Sequence, residues 1–201
     1  MKLFKRILRK LRQTLFPRKQ TERSDPFREL EAKGLKIAES TKKRMHSPWG
    51  IDRMFPWLIE IGEDCLISTD VTIMAHDASP AISNGYTKMG RVRIGNHVFV
   101  GQGTTILCGV TIGDNVIIGA HALVSKDLAS NGVYAGNPAK FICTLEAYQE
   151  KRAEEMKRVP ILAHDWIYWS EKATAEERNE VVERLKGSKV CYIKSNMDPV
   201  S

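Results

Sequence analysis

A histidine, His76, stands where a regular pattern of aliphatic residues stops, in the stretch "TIMAHDASP". Histidine titrates near neutral pH and can take a proton from a hydroxyl group while that hydroxyl attacks a carbonyl carbon. A lone histidine is more often an ordinary surface or core residue than a functional one. Whether His76 is functional must therefore be judged from the sequence around it. Asp77 could orient His76 or close a turn. Neighbouring side chains of an extended segment point to opposite faces, so we favour the turn.

The elements that must position His76 follow from a six-residue repeat on both sides of it. Seven of its nine units place a small residue after the first position. A helix repeats at about 3.6 residues and a strand at about 2, so a strand that turns after every unit keeps one position facing inward. The pattern therefore predicts a solenoid of short strands. Ile or Val opens each unit: Ile61, Ile67, Ile73, Ile94, Val100, Ile106, Ile112, Ile118 and Val124.

The other histidines do not form a close pair that would suggest a metal site. His97 and His121 are 24 residues apart, and we expect no metal. The four cysteines lack CxxC spacing. We therefore expect free thiols and a cytoplasmic protein.

The first twenty residues carry eight of the chain's basic residues and no acidic one, and the rest of the chain is nearly neutral. A nucleic-acid-binding core is therefore not indicated. Residues 1–16 alternate apolar and basic positions at helical spacing, which predicts an amphipathic helix within residues 1–23. Two interpretations remain open: the helix lies on an anionic membrane surface at the inner face of the membrane, or it packs on the protein.

The segment "GVTIGDNVIIGAHALVSKDLASNGVYAGNPAK", with its ending "AGNPAK", resembles the hexapeptide-repeat acyltransferases. The stretch "TIMAHDAS" is similar to the branch that O-acetylates bacterial polysaccharides and sugars with acetyl-CoA. This resemblance implies an all-β core, a left-handed parallel β-helix with three repeat units per coil. We expect it in residues 55–143, with an excursion loop at 77–93, a connecting segment at 24–54 and a mainly helical extension at 144–201.

The resemblance also implies which residues act. His76 would be the general base, and the backbone N–H of Gln102 would stabilise the negative oxygen that forms on the carbonyl. The sequence departs from relatives in two places: Phe99 replaces a frequent tryptophan, and Cys143 replaces a frequent basic residue. The residues expected to contact acetyl-CoA are Phe99, Gly101, Gly119, Ala120, Ser125, Lys126, Asn137, Pro138 and Lys140.

The acceptor implied by the resemblance is a sugar hydroxyl, bound where a neighbouring subunit of a homotrimer completes the site. Tyr86 and Lys88 in the excursion could contact this sugar, although both could equally be ordinary exposed residues. An amino sugar or an antibiotic hydroxyl remains the alternative acceptor. A non-catalytic solenoid docked to a membrane is the alternative that involves no enzyme activity.

The C-terminal part shows helix signals and an aromatic cluster. Thr174 and Glu177 have the spacing of a capping box, and Gly187 ends the helical pattern that follows them. The cluster Trp166, Tyr168 and Trp169 would pack on the solenoid or between subunits, or would offer a surface on which a sugar stacks.

Overall fold

The six-residue repeat folds into short strands that stack in parallel from one coil to the next. The structure, a computed structural model, describes residues 25, 27–45, 47–162 and 173–193. Three sheets run the length of the repeat region within these residues. Their strands are β1 (Lys36–Ile37), β2 (Ile59–Ile61), β3 (Leu66–Ile67), β4 (Thr72–Ile73), β7 (Val92–Ile94), β8 (Phe99–Val100), β9 (Thr105–Ile106), β10 (Thr111–Ile112), β11 (Ile117–Ile118), β12 (Leu123–Val124), β13 (Gly132–Ala135) and β14 (Lys140–Thr144).

Each coil contributes one strand to each sheet. The first sheet has the order β1-β2-β7-β10, the second β14-β13-β11-β8-β3 and the third β12-β9-β4. Pairing is parallel within them except between β13 and β14, which form an antiparallel hairpin. The residues Ile94, Val100 and Ile106 pair with the residues that open the units one coil later, Ile112, Ile118 and Val124. The prediction of three units per coil is therefore confirmed.

The predicted inward positions form the core. All nine residues that open the units are between 0% and 3% exposed. A second buried residue lies two positions before many of them, for example Val98, Val110 and Val116. Burying an aliphatic side chain of this size contributes about 1.5–3 kcal/mol, so the stack of openers provides a large part of the solenoid's stability.

The corners between strands require a left-handed backbone, which explains two of the histidines. The fourth position of many units has a positive φ, as in Asp64 (53°), His97 (54°), Asn115 (58°) and His121 (55°). Asn, Asp and His tolerate this conformation better than other residues that carry a Cβ. His97 lies between β7 and β8 and His121 between β11 and β12, so the two occupy different corners.

The solenoid begins earlier than residue 55. Strand β1 pairs in parallel with β2, and Ile51 forms a bridge with Ile73 of β4. The segment expected to be a connection therefore adds strand pairing to two sheets. It also contains helices α1 (Arg28–Ala32) and α2 (Glu39–Arg44), and a 3-10 helix, Pro56–Leu58, precedes β2.

The excursion is an ordered arm rather than a simple loop. Strand β5 (His76–Asp77) pairs antiparallel with β6 (Lys88–Met89), and helix α3 (Ala81–Asn84) lies between them. The repeat resumes at Val92, which pairs with Ile59, so the excursion ends slightly before the expected position at residue 93.

The C-terminal extension contains helices α4 (Leu145–Met156) and α5 (Ala175–Lys186) and a parallel pair of strands, β15 (Ile161–Leu162) and β16 (Tyr192–Ile193). The capping box of Thr174 and Glu177 is present, with Gly187 at the C-terminal end, as predicted. The predicted helix within residues 1–23 and the aromatic cluster at 166–169 lie outside the described residues. Within the described part, no helix is long and apolar enough to cross a membrane.

Candidate active site

The strongest candidate site is a pair formed by His76 and a buried aspartate, Asp52. The Nδ1 atom of His76 is hydrogen-bonded to Oδ2 of Asp52. The Asp52 side chain is only 3% exposed, whereas the His76 side chain is 26% exposed. A carboxylate can only accept, so Nδ1 carries the proton and Nε2 is left as the acceptor. This arrangement orients the ring and prepares Nε2 to take a proton.

Asp52 reaches His76 because the segment around it pairs with strand β4. Ile73 N–H donates to the Gly50 carbonyl at 2.8 Å, and Asp52 N–H donates to the Ile73 carbonyl at 2.9 Å. The approach is close: a Cβ on Gly50 would lie 1.7 Å from the Val71 carbonyl oxygen. Glycine is therefore required at position 50, and the pairing on both sides of Ile51 fixes Asp52 beside the end of β4.

The Asp52 carboxylate is held ionised by its donors. Burial raises the pKa of Asp52, but hydrogen bonds from His76 and from the backbone of Ala75, Met54 and Phe55 outweigh it and keep this pKa below its ordinary value. The Ala75 and Met54 N–H groups each lie 2.9 Å from a carboxylate oxygen, and that of Phe55 lies at 3.2 Å. A buried aspartate with this many donors is a negative charge in a fixed place.

Aromatic rings lie beside His76. The ring centroids of Phe55 and His76 are 5.0 Å apart, and those of Phe55 and Trp57 are 5.4 Å apart. Trp57 is 54% exposed. On the other side His76 pairs with Met89 of the excursion. An entering hydroxyl compound would therefore meet His76 between an aromatic wall and the excursion arm.

The two excursion residues expected to touch an acceptor are both exposed. Tyr86 is 75% exposed, and its backbone N–H donates to Asn84. Lys88 lies opposite Asp77 in the β5–β6 pair. Asp77 itself accepts the Ser79 N–H at 2.9 Å, which confirms the turn role and excludes it as the partner of Nδ1.

Four of the residues expected to contact acetyl-CoA meet at one edge, where the chain passes from the second sheet to the third. Gly101 and Gln102 follow β8, and Gly119 and Ala120 follow β11 in the next coil. Gly101 N–H donates to the Ile118 carbonyl at 2.8 Å, and a Cβ on Gly101 would lie 2.5 Å from Ala120 N. The two coils therefore touch through backbone at this edge.

Gln102 offers a donor at the same edge. Its side chain reaches Asp70 at 3.4 Å, and its carbonyl accepts the His121 N–H. Its own backbone N–H has no partner among the described residues. Phe99, on the outer face of β8, is 36% exposed and forms an apolar surface beside this edge.

The remaining residues expected near acetyl-CoA lie after β12 of the third sheet and in the β13–β14 hairpin of the second sheet. Ser125 and Lys126 are exposed and follow β12 at the edge where His76 follows β4. Asn137 and Pro138 form a cis peptide in the turn between β13 and β14, and Lys140 opens β14. The structure thus brings two groups to opposite ends of the strands of the third sheet, here called its two edges. At the C-terminal ends lie His76, Ser125 and Lys126. At the N-terminal ends lie Gly101, Gln102, Gly119 and Ala120. Within one chain these two groups are separated by the width of that sheet.

No cluster of His, Cys, Asp and Glu suitable for a metal ion occurs within the described ranges of the chain. All four cysteines carry free thiols, and burial raises the pKa of Cys65. That thiol is not a candidate nucleophile, because a thiol with a raised pKa carries little thiolate.

Sequence reasoning missed Asp52. It precedes His76 by 24 residues, and Ile51 pairs with Ile73 outside the six-residue register. The available signal was weak: a glycine, an aliphatic residue and an aspartate in "WGIDR", followed by the aromatic run "FPW".

A known protein family matches part of the six-residue repeat. Residues 91–126 match the family described as bacterial transferase hexapeptide (six repeats). The chain is 42% identical over 107 residues to protein CapG of Staphylococcus aureus, a match that covers 49% of this chain and 60% of CapG. It is 37% identical over 87 residues to a chloramphenicol acetyltransferase of Agrobacterium fabrum, covering 43% of this chain and 38% of the relative.

A third relative, galactoside O-acetyltransferase of Escherichia coli, is 38% identical over 89 residues, which cover 43% of this chain and 44% of the relative. The chain spans less than two thirds of the length of each of these relatives. The family match at residues 91–126 lies within the solenoid described above. This part of the chain is thus similar to the bacterial hexapeptide-repeat transferases.

Proposed function

We propose that this chain transfers an acetyl group from acetyl-CoA to a hydroxyl group of a sugar. The observation that carries the proposal is the pair of Asp52 and His76 at the end of a solenoid coil. The pair leaves Nε2 of His76 as the acceptor, on a side chain that is 26% exposed. The chain is similar to relatives named acetyltransferases over 87 and 89 residues, which supports this reaction class.

The proposed reaction uses His76 as a general base. Nε2 takes the proton of the acceptor hydroxyl while the hydroxyl oxygen attacks the thioester carbonyl carbon. The Asp52 carboxylate stabilises the imidazolium that forms on His76. The C–S bond of the tetrahedral intermediate then breaks, and the departing thiolate receives the proton from His76. The backbone N–H of Gln102 would donate to the oxygen of the intermediate.

Acetyl-CoA would bind along the groove of backbone and small residues. Gly101, Gly119 and Ala120 would let its pantetheine arm approach closely, and Phe99 would provide an apolar surface. Ser125 and Lys126 would lie near phosphate groups. Lys140 would attract the nucleotide end as a point charge, without the planar fork of an arginine, and the Asn137-Pro138 turn would border it.

We propose a homotrimer of left-handed β-helices, as the resemblance implies. His76 and the N–H of Gln102 lie at opposite edges of the third sheet. This separation supports a site that combines the base of one copy with the donor of another.

The acceptor class is the finer part of the proposal. Surface-polysaccharide synthesis follows from the resemblance of the His76 stretch, and the relative named galactoside O-acetyltransferase supports a sugar hydroxyl. The relative named chloramphenicol acetyltransferase favours an antibiotic hydroxyl as the second candidate. An amino sugar would use the same base. Tyr86 and Lys88 would contact the acceptor from the excursion.

We place the protein at the cytoplasmic face of the membrane. The support is the amphipathic basic pattern of residues 1–16 and the free thiols of the four cysteines. Removal of residues 1–19 should lower binding to vesicles with anionic lipids. Unchanged vesicle binding would show that this segment packs on the protein instead.

The experiment that tests the function is a calorimetric titration with coenzyme A, followed by an acceptor panel. The panel holds methyl glucoside, glucosamine and chloramphenicol, with released thiol as the readout. Binding of coenzyme A and acetylation of the methyl glucoside hydroxyl support the proposal. Absence of coenzyme A binding would instead favour a non-catalytic solenoid, and faster turnover of glucosamine or chloramphenicol would reassign the acceptor.

A further inference from the structure

A small basic pocket is lined in part by Trp57, whose ring contacts Phe55 beside His76, and the proposed reaction gives this pocket no role. It has a volume of about 110 Å³ and is lined by Trp57, Leu58 and Ile59 with the charged residues Lys36, Glu60, Arg91 and Arg93. Three cations thus face one carboxylate. Within the described residues, none of these four charged side chains takes part in an ion pair or a side-chain hydrogen bond.

The charges are held in place by strand pairing. Lys36 of β1, Glu60 of β2 and Arg93 of β7 are direct neighbours across the first sheet. Neighbouring strands are about 4.8 Å apart, so Glu60 lies between two cations and can balance only part of their charge. Arg91 adds a third cation from outside this row. The pocket therefore has an excess of positive charge.

The pocket is connected to the candidate active site from two sides. Trp57, which lines it, contacts Phe55, and Phe55 contacts His76 with ring centroids 5.0 Å apart. Arg91 follows Gly90, whose N–H donates to the Ala75 carbonyl at 3.0 Å, directly before His76. A compound whose hydroxyl lies at His76 and whose ring lies against the exposed Trp57 would extend toward these arginines.

We infer that the acceptor carries an anionic group, a phosphate or a carboxylate on the sugar, and that this group binds between Trp57, Arg91 and Arg93. This inference rests on the proposed function. The pocket is smaller than the roughly 300 Å³ typical of sites that enclose a whole ligand, so it suits one substituent. Arginine presents paired N–H donors that match phosphate and carboxylate oxygens. The sugar ring itself would remain outside, against the exposed face of Trp57.

The test compares kcat/KM for methyl glucoside, glucose 1-phosphate and glucuronic acid in thiol-release assays. We expect at least one of the two anionic sugars to be preferred over methyl glucoside by roughly tenfold or more, the factor for a hydrogen bond to a charged group. Arg91→Ala and Arg93→Ala should each reduce that preference by a similar factor, while Arg158→Ala, a surface control on the C-terminal extension, should retain it. Equal use of all three sugars, or a preference that survives both substitutions, would overturn the inference.

A binding measurement separates failure of this inference from failure of the proposed function. Calorimetry with glucose 1-phosphate and glucuronic acid, in the presence of coenzyme A, does not require turnover. Binding that is lost in Arg91→Ala but kept in Arg158→Ala supports the anion site even if no acetyl group is transferred. Acetylation of methyl glucoside without measurable binding of either anionic sugar would contradict the anion site, whereas the proposed reaction would still be supported.

Discussion

Replacement of Asp52 by asparagine should abolish most of the turnover, because it leaves the size of the side chain unchanged and reverses one hydrogen bond. Oδ2 of Asp52 accepts from His76 Nδ1 and from Ala75 N–H, and Oδ1 accepts from Met54 and Phe55 N–H. An amide group must place its NH₂ at one of these two sites. At the Oδ2 site it would force Nδ1 to accept, and Nε2 would then carry the proton and could not act as a base.

The magnitude follows from the same contacts. Loss of general base catalysis costs about 10²–10⁴-fold in kcat. The NH₂ group opposes one backbone donor, Ala75 N–H, at the Oδ2 site and two, those of Met54 and Phe55, at the Oδ1 site, so the Oδ2 site is favoured. In either case a buried donor loses its acceptor, which costs about 1–3 kcal/mol of stability. We therefore expect Asp52→Asn to lower kcat by at least about 10²-fold and to lower the free energy of unfolding by about 1–3 kcal/mol.

The assay measures thiol release at saturating acetyl-CoA, with urea unfolding as a check on the fold. Asp77→Asn is the matched control: it changes the carboxylate adjacent to His76 in the chain, which accepts from Ser79 and not from His76. Its kcat should stay within about threefold of the wild type. A folded Asp52→Asn variant with near-normal kcat would refute the role assigned to Asp52.

The pH dependence of stability provides a second readout on Asp52. Its pKa in the folded protein lies below the ordinary value of 3.8. The ionised carboxylate therefore stabilises the fold fully above that ordinary value, and this contribution is lost as pH falls through the lower folded pKa. The stability difference between wild type and Asp52→Asn should thus be largest near neutral pH and shrink in acid. A difference that grows on acidification contradicts this.

Three further predictions concern the solenoid and the groove. Gly101→Ala should lower the free energy of unfolding by about 1–3 kcal/mol in urea titrations, because its Cβ would meet backbone of the next coil, whereas Gly187→Ala should be nearly neutral. Ile106→Ala should cost about 2–5 kcal/mol in the same measurement, and Ile82→Ala, at an exposed site, less than about 0.5 kcal/mol. Lys126→Ala should raise KM for acetyl-CoA by about three- to fivefold at low salt, since an exposed charge contributes up to about 1 kcal/mol. An unchanged KM would show that Lys126 does not contact the phosphates of acetyl-CoA.

The repeat could be predicted from the sequence because one physical requirement recurs in every unit. Each inward position must be aliphatic, and each corner favours a residue that tolerates a positive φ. Ile94, Val100 and Ile106 consequently pair one coil later as expected. The same regularity makes the interruption at His76 visible, so the candidate base can be singled out from the amino-acid sequence alone.

Asp52 and the basic pocket could not be predicted in this way. Ile51 meets Ile73 through a single bridge outside the repeat register, so no periodicity leads to Asp52. The pocket unites β1, β2, β7 and the end of the excursion, which are far apart in the chain. A site that contains both Gln102 and His76 also could not be derived from the repeat. These two residues lie at different edges of the third sheet and would share a site only between two copies.

We propose His76 as the base for acetyl transfer, and kcat of His76→Ala at saturating acetyl-CoA tests this role. We expect a decrease of at least about 10²-fold. Coenzyme A affinity, measured by calorimetry on the same preparation, should stay within about twofold, since the residues expected to bind it are elsewhere. A folded His76→Ala protein that turns over at a rate close to the wild type would contradict the account.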